Sequence, residues 1–310
     1  MTHDNTSTRR RCAFLTLADP TGFVIDDDLA REPLAALGWD VQSVPWRPAA
    51  VDWSLYDAVV IRSTWDYTDD PEAFMQTLAQ IERSGVPLFN SLETVRWNLR
   101  KTYLRELAAL GVALVPTLWR ERLQPGGLGA LFTALGVDEI VVKPVVGANA
   151  SGAFRLDRAG ARARASEVEA WYADRALMAQ PFVPAVTAEG EFSLFYFNGA
   201  CSHAVLKTPK PADFRVQEEH GGEIRAINPA AALRAAGDRV MAALAARPLR
   251  ALAGTPLYAR VDLVRASDGS GFWLMELELI EPALYFRLAT GAAARFAAAL
   301  DRVVASSGRD

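Results

Sequence analysis

The chain has 310 residues, 51% of them hydrophobic and 23% charged, with a formal net charge of −4. That length can bury a large core in more than one folding unit, and the composition excludes wholesale disorder. No apolar run has membrane-spanning length, the polar N-terminus lacks a signal-peptide core, and the tight basic run Arg9-Arg10-Arg11 reads as a solvated extension rather than a nucleic-acid arm. Cys12 and Cys201 have neither metal-type spacing nor a disulfide partner pattern, so both are expected as reduced thiols in apolar strands. A cytoplasmic protein that binds neither nucleic acid nor membrane is the expectation.

The first hundred residues alternate strand and helix signals. Strands are predicted over Cys12–Ala18, Asp40–Val44, Tyr56–Ile61 and Val86–Phe89, and helices over Asp28–Leu37 and Pro71–Ser84. Pro71 near one end and Gly85 beyond the other match the usual asymmetry of helix termini. Repeated strand–helix–strand units imply a parallel sheet covered by helices, with ligands beyond the carboxyl ends of its strands. Arg62-Ser63-Thr64-Trp65-Asp66 follows one such end.

Beyond residue 100 the pattern becomes that of a small antiparallel sheet with two helices. A helix near Lys101–Leu110 leads to a strand over Ala113–Leu118. The loop Gln124-Pro125-Gly126-Gly127 and a short helix precede a strand ending at Val142-Lys143-Pro144, and Gly152–Leu156, a helix over Ser166–Arg175 and a strand over Leu177–Val183 follow. In the last third, Glu191–Phe197 and Ala200–Lys207 flank Asn198-Gly199, a strong hairpin signal. A polar loop through Gly221-Gly222 comes next, then an alanine-rich helix from about Pro229 to Ala246. Leu257–Arg265 and Phe272–Ile280 form a second hairpin around Asp268-Gly269-Ser270-Gly271, and a C-terminal helix runs from Ala292 to Ala305.

Of the 33 basic residues only four are lysine: Lys101, Lys143, Lys207 and Lys210. In so arginine-rich a chain, a retained lysine is a candidate for a position that needs a compact ammonium. Lys101 opens a helix and Lys143 stands just before the loop Gly147-Ala148-Asn149-Ala150-Ser151-Gly152, and two point charges with a glycine-containing loop point to phosphate. The loop lacks the Lys-Ser/Thr that would follow in a Walker A motif, leaving a small-residue turn whose amides can reach phosphate oxygens. Arg260 and Asp262 share one face of a hairpin strand, and Glu276 and Glu278 share one face of its partner. Three carboxylates with no lysine nearby in sequence would repel one another unless a cation sat among them, and oxygen ligands suit Mg²⁺, with Mn²⁺ as an alternative. A solvent-facing acidic strand is the competing reading, but the flanking Leu274, Met275, Leu277, Leu279 and Ile280 argue against it. Gln180-Pro181-Phe182-Val183 has an edge and apolar faces that suit a purine, and Glu189 and Glu191 follow where a ribose could bind, but by themselves these residues read as an ordinary strand end. Lys207 through Arg215 and Gln217 to Gly221-Gly222 reads equally as a loop over an anion or as a solvated loop. No Gly-x-Ser-x-Gly or His-Glu-x-x-His is present, against the common hydrolases.

In this order the motifs resemble the ATP-grasp superfamily over about residues 95 to 285, in particular the branch of prokaryotic glutathione synthetase and the ribosomal S6 glutamate ligase. The resemblance implies an α/β (α+β) fold with a Rossmann-like pre-ATP-grasp domain over residues 1–97, a lid subdomain over 98–185 and a metal-bearing C-terminal subdomain over 186–310. It makes Lys101 and Lys143 the phosphate lysines. Gly147, Ser151 and Gly152 become the mobile loop, Gln180, Phe182 and Val183 the adenine hinge, and Glu191 the ribose-side acid. Asp262, Glu276 and Glu278 become the metal ligands. Gln217 and Glu278 stand where the family usually has asparagine, and Glu281 replaces a small polar residue. Ile61 to Tyr67 with Trp97-Asn98 resembles the subgroup containing the cyclo-ligase that forms D-cycloserine from O-ureido-serine.

The implied activity is an ATP-dependent carboxylate–amine ligase or cyclo-ligase that passes through an acyl phosphate and gives ADP and phosphate. Arg260, with Arg215 as its partner, would stabilise the oxyanion and the phosphoryl group in transfer. Arg62, Ser63 and Thr64 would hold the carboxylate or amine of an amino-acid-like substrate, with Lys207, Gly221 and Gly222 beside the acyl phosphate. A non-catalytic ATP-binding module and a phosphotransferase are the alternatives, and a homodimer or homotetramer is left open.

Overall fold

Among the described residues of the computed structural model, 9–47, 50–147, 150–246 and 255–307, thirteen strands form three sheets. Ala148 and Asn149, at the centre of the expected glycine loop, and the tail before Arg9 lie outside them. The first sheet is wholly parallel: β1 (Arg10–Thr16), β2 (Trp39–Pro45), β3 (Ala58–Ile61) and β4 (Leu88–Phe89) lie in the order β2-β1-β3-β4. Every residue of β3 is buried, as a strand covered on both faces requires. Of the helices α1 (Arg31–Ala36) and α2 (Pro71–Arg83), the second begins at a strong cap. Asp70 accepts from Ala73 N at 3.0 Å, and Phe74, Leu78 and Ile81 recur at helical spacing on the buried face. The basic run is not a solvated extension, because Arg10 and Arg11 open β1. Arg10 donates to Asp301 at 2.5 Å and lies over the Trp39 ring.

Two helices stand where one was expected: α3 (Leu92–Asn98) and α4 (Tyr103–Ala109). Ser91 Oγ accepts from Thr94 N at 3.2 Å and starts α3, a capping signal present in the sequence. Of the next expected strand, Ala113–Leu118, only Leu118 joins a sheet, as the first residue of β5 (Leu118–Arg120). Pro116 has no N–H for a ladder, and Leu114 makes just an isolated bridge to Leu274.

The second sheet is antiparallel in the order β5-β8-β6-β7, with β6 (Glu139–Pro144), β7 (Phe154–Asp157) and β8 (Leu177–Pro181). Its core is closed by α5 (Leu128–Leu135), α6 (Arg158–Ala163) and α7 (Ala165–Trp171). α6 is an addition to the expected pair, started by Asp157 accepting from Gly160 N at 2.6 Å. The short α8 (Ala185–Ala188) leads into the third sheet.

That sheet is antiparallel in the order β11-β10-β9-β12-β13, with β9 (Glu191–Phe197), β10 (Ala200–Thr208), β11 (Glu223–Ile227), β12 (Tyr258–Arg265) and β13 (Phe272–Glu278). Asn198 and Gly199 both have positive φ, +46° and +76°, as a tight hairpin turn of primed type demands. Leu194 and Tyr196 point into a core shared with α9 (Ala231–Ala246), while Phe195 and Phe197 point into one shared with α10 (Ala292–Ser307) and β1. This strict alternation explains why β9 is apolar on both faces. α4 joins the α9 core through Tyr103, Leu104 and Leu107, so the segment after Lys101 is anchored under the third sheet.

Two bulges set the polar registers. β10 shifts by one residue between Cys201 and His203, which puts Lys207 opposite Glu191, and β12–β13 shifts between Asp262 and Leu263, which puts Glu276 opposite Asp262 and Glu278 opposite Arg260. Without the second bulge Met275 would oppose Asp262 and the glutamates would face away.

Candidate active site

The edge of β13 is completed by side chains rather than by another strand. Asn98 donates to Leu277 O and accepts from Leu279 N, both at 2.8 Å, while Tyr103 Oη accepts from Leu277 N at 2.9 Å. These contacts hold the strand that carries Glu276 and Glu278. One cleft then collects Lys101, Lys143 and Gln180 from around the second sheet and Glu191, Lys207, Arg260, Asp262, Glu276 and Glu278 from the third.

Within the cleft the charges are interleaved. Lys101 Nζ contacts Glu276 Oε1 at 2.5 Å and Gly147 O at 2.8 Å. Burial would lower this ammonium, but Glu276 together with the more distant Glu278 and Glu281 outweighs it and the net direction is up. Lys207 is 3% exposed, 2.5 Å from Glu191 and 3.4 Å from Asp262, and these two carboxylates likewise raise it against its burial. Lys143 differs: among the described residues no carboxylate is within ion-pair distance, and burial lowers it despite Glu276 and Glu191 farther off. Arg260 contacts Asp262 at 2.9 Å and also contacts Glu278. Burial would raise the Asp262 carboxyl, but Arg260, Lys207 and the Ser193 hydroxyl at 2.5 Å hold it at about 2. Glu278 goes the other way, up to about 7, because burial and the negative Glu276 and Asp262 outweigh Arg260.

The expectation of carboxylates without a lysine is therefore corrected: Lys101 and Lys207 stand among them, brought in by residues distant in sequence. Each carboxylate already has a cation, and no group of three preformed metal ligands occurs among the described residues. The oxygen donor set nonetheless fits a hard divalent ion. Asp262 and Glu276 are cross-strand partners with Glu278 two residues along on the same face, so three carboxylates converge there.

On the purine side, Gln180 is 2% exposed and donates to Thr117 Oγ1 at 2.9 Å, while Phe182, Val183, Val115, Val186 and Met275 supply an apolar wall. The Phe182 ring lies under the Arg155 guanidinium, 3.6 Å from ring centre to carbon. Gly147 and Ser151 line the cleft. Gly152 does not: at φ +68° it is the turn that leaves room for Trp171, whose ring nitrogen lies 2.5 Å from where a Cβ would stand.

Three further expectations change. Arg62, Ser63 and Thr64 are buried and do not line the cleft. Arg62 is paired with Asp27 at 3.0 Å and donates to Pro282 O at 3.0 Å, which makes it a staple between the first and third sheets. Trp65 and Tyr67, on the single turn Trp65–Asp69 just beyond, reach the cleft instead. Arg215 lines the cleft, but its guanidinium is taken by Asp213 at 2.8 Å rather than poised beside Arg260. Gly221 and Gly222 lie off the wall, where the Gly222 Cα packs against Val216 so tightly that a Cβ would sit 2.2 Å from its carbonyl oxygen. Tyr285, at φ +47°, and Ser193, opposite Asp262 across β9–β12, are additions with no local sequence signal.

Comparison with known proteins agrees with this geometry. Residues 12–90 match the family described as the D-cycloserine synthetase DcsG N-terminal domain. The chain is 32% identical over 307 residues to the cycloserine biosynthesis protein DcsG of Streptomyces lavendulae, covering 92% of this chain and 96% of the relative. The crystal structure of D-cycloserine synthetase DcsG superposes with a TM-score of 0.81 at 29% identity, over 95% of this chain and 99% of that one. The fold is shared more widely. An ATP-grasp RimK domain protein from Sphaerobacter thermophilus gives a TM-score of 0.67 at 18% identity, over 94% of this chain and 98% of that one. A D-alanine–D-alanine ligase from Bacillus anthracis gives 0.64 at 16%, over 96% and 100%. With a relative at that identity aligned over nearly the whole of both sequences, the chain belongs to the DcsG family of ATP-grasp ligases.

Proposed function

We propose that this ligase activates the carboxylate of a small amino-acid-like substrate as an acyl phosphate and closes an amide bond, with the cyclisation of O-ureido-serine as the first candidate reaction. The observation that carries the reading is the single cleft in which Lys101, Lys143, Lys207 and Arg260 alternate with Glu191, Asp262, Glu276 and Glu278. Such an array suits a triphosphate and a carboxylate meeting in line, where positioning and electrostatics supply most of the acceleration.

In this reading Lys143, with no carboxylate partner, takes a phosphate oxygen directly, and Lys101 exchanges Glu276 for phosphate. Gly147 and Ser151 cover the triphosphate while Gly152 only shapes the turn behind them, Gln180, Phe182 and Val183 receive the adenine, and Glu191 faces the ribose. Asp262, Glu276 and Glu278 would hold Mg²⁺, which when bound neutralises phosphoryl oxygens and orients the transfer. Arg260, rigidly seated between Asp262 and Glu278, stabilises the oxyanion as the side-chain nitrogen attacks the acyl carbon and phosphate leaves. Residues 1–97 serve as the substrate unit, 98–185 as the lid and 186–310 as the metal-bearing unit.

The test is the nucleotide product of Mg-ATP incubated with amino acids, dipeptides and both enantiomers of O-ureido-serine. ADP and phosphate released with one of them is the expected result. AMP would overturn the acyl-phosphate step, and a phosphorylated product without an amide would reassign the enzyme as a phosphotransferase.

A further inference from the structure

One buried carboxylate of the cleft has no role in the roles assigned above. Glu191 is paired with Lys207, Glu276 with Lys101, and Asp262 and Glu278 with Arg260. Glu281 is 8% exposed and lines the same cleft, yet among the described residues no Lys, Arg or His nitrogen lies within ion-pair distance of it. It is firmly held. Trp65 Nε1 donates to its backbone oxygen at 2.9 Å, the Tyr67 hydroxyl lies beside its carboxyl, and Ile280 beside it packs in the core of the first sheet. Tyr67 is itself 4% exposed, its ring tilted 35° against Phe74 at 4.9 Å between centroids, which restrains the hydroxyl.

Burial pushes a carboxyl without a close cation toward its neutral form, and a cationic ligand group placed against it restores the charge. The cleft's own cations are engaged with carboxylates or, for Lys143, free to meet an anion. A substrate that offers its carboxylate to those cations, and is an α-amino acid, carries an ammonium on the adjacent carbon.

We infer that Glu281, oriented by Tyr67, is the receptor for the substrate's α-ammonium and restricts the enzyme to acids with a free α-amine. This rests on the ligase reading above and adds the feature of the substrate that is selected. Glu281 is the specificity-determining group and Tyr67 a positioning residue.

The experiment is calorimetric binding, in the presence of Mg²⁺ and a non-hydrolysable ATP analogue, of O-ureido-serine and of its desamino counterpart 3-(ureidooxy)propanoic acid. Wild-type protein should bind the amino compound at least about 30-fold more tightly, the scale of a buried charge pair. In Glu281→Gln that preference should collapse to within about threefold, with the desamino compound and the nucleotide bound as before; Tyr67→Phe should lose part of it. This ligand-by-variant cycle isolates the ammonium contact from any general loosening of the fold. Equal binding of the two compounds by wild-type protein, or equal losses for both in Glu281→Gln, overturns the assignment. ADP release from wild-type enzyme only with acids that lack an amine overturns it while leaving the ligase reading standing, and no ADP with any acid overturns both.

Discussion

Replacing Lys207 with methionine keeps the aliphatic stem and removes an ammonium that is 3% exposed. Its contacts with Glu191 at 2.5 Å and Asp262 at 3.4 Å correspond to about 7 and about 5 kcal/mol of Coulomb attraction at an effective dielectric of about 20. Desolvation of the lysine cancels much of that, and the measured scale for breaking one side of a buried pair is about 3–5 kcal/mol. Asp262 keeps Arg260 and the Ser193 hydroxyl, so the orphan left by the substitution is Glu191. The wild-type lysine is raised above its ordinary value, so its stabilisation is complete below that value and constant between pH 5 and pH 8. In the variant, Glu191 loses its ion pair at 2.5 Å and Asp262 one of its two cations. Urea denaturation of both proteins at pH 7 should give a difference of about 3–5 kcal/mol. A difference near zero refutes the idea that Glu191 depends on Lys207.

Lys143→Met should reduce ADP release by at least ~10²-fold while leaving thermal stability equal or higher, since burial disfavours this partnerless ammonium in the fold; a loss of stability would mean an unrecognised partner. Asn90→Ala removes contacts to Tyr258 O, Leu279 O and Leu257 N at 3.0, 2.7 and 2.8 Å and should cost about 3 kcal/mol or more, read by denaturant midpoint. Gly237→Ala would place a Cβ 2.5 Å from Tyr196 Oη and 2.8 Å from Leu194 Cδ2, so a net loss of about 1–2 kcal/mol is expected despite alanine's better helix propensity; an unchanged melting temperature would mean α9 can shift. His203, stacked on Phe195 and donating to Leu284 O, is held neutral by burial at about 4. Because that is below its unfolded value, stability is full above about pH 6.5 and declines toward pH 4 by up to about 3 kcal/mol, a slope that His203→Phe should reduce in acid titrations of stability.

Much of the cleft was legible because its parts are local. The Asn198-Gly199 and Asp268-Gly269 turns announce the two hairpins, and period-two alternation assigns Arg260 with Asp262 and Glu276 with Glu278 to single faces. The lysines Lys101 and Lys143 stood out by scarcity in an arginine-rich chain, and the strand–helix alternation before residue 90 sufficed for a parallel sheet. The ATP-grasp assignment needed only the order of such motifs along the chain.

The partners of those residues were settled elsewhere. Arg62 looks like a ligand-binding arginine at a strand end, but Asp27 and Pro282 O, the latter 220 residues away, turn it inward and leave Trp65 and Tyr67 at the wall. Lys101 meets Glu276 only because α4 packs beneath the third sheet and Asn98 completes the edge of β13. Both hairpins also carry a bulge that turn chemistry does not reveal, and each moves a charge by one residue onto the face of its partner, Lys207 to Glu191 and Glu276 to Asp262. Side chains alternate with a period of two, so a shift of one residue separates a hydrophobic face from a charged cleft. Residue type and local periodicity determined which groups this chain has to offer; only three-dimensional packing decided which of them face one another.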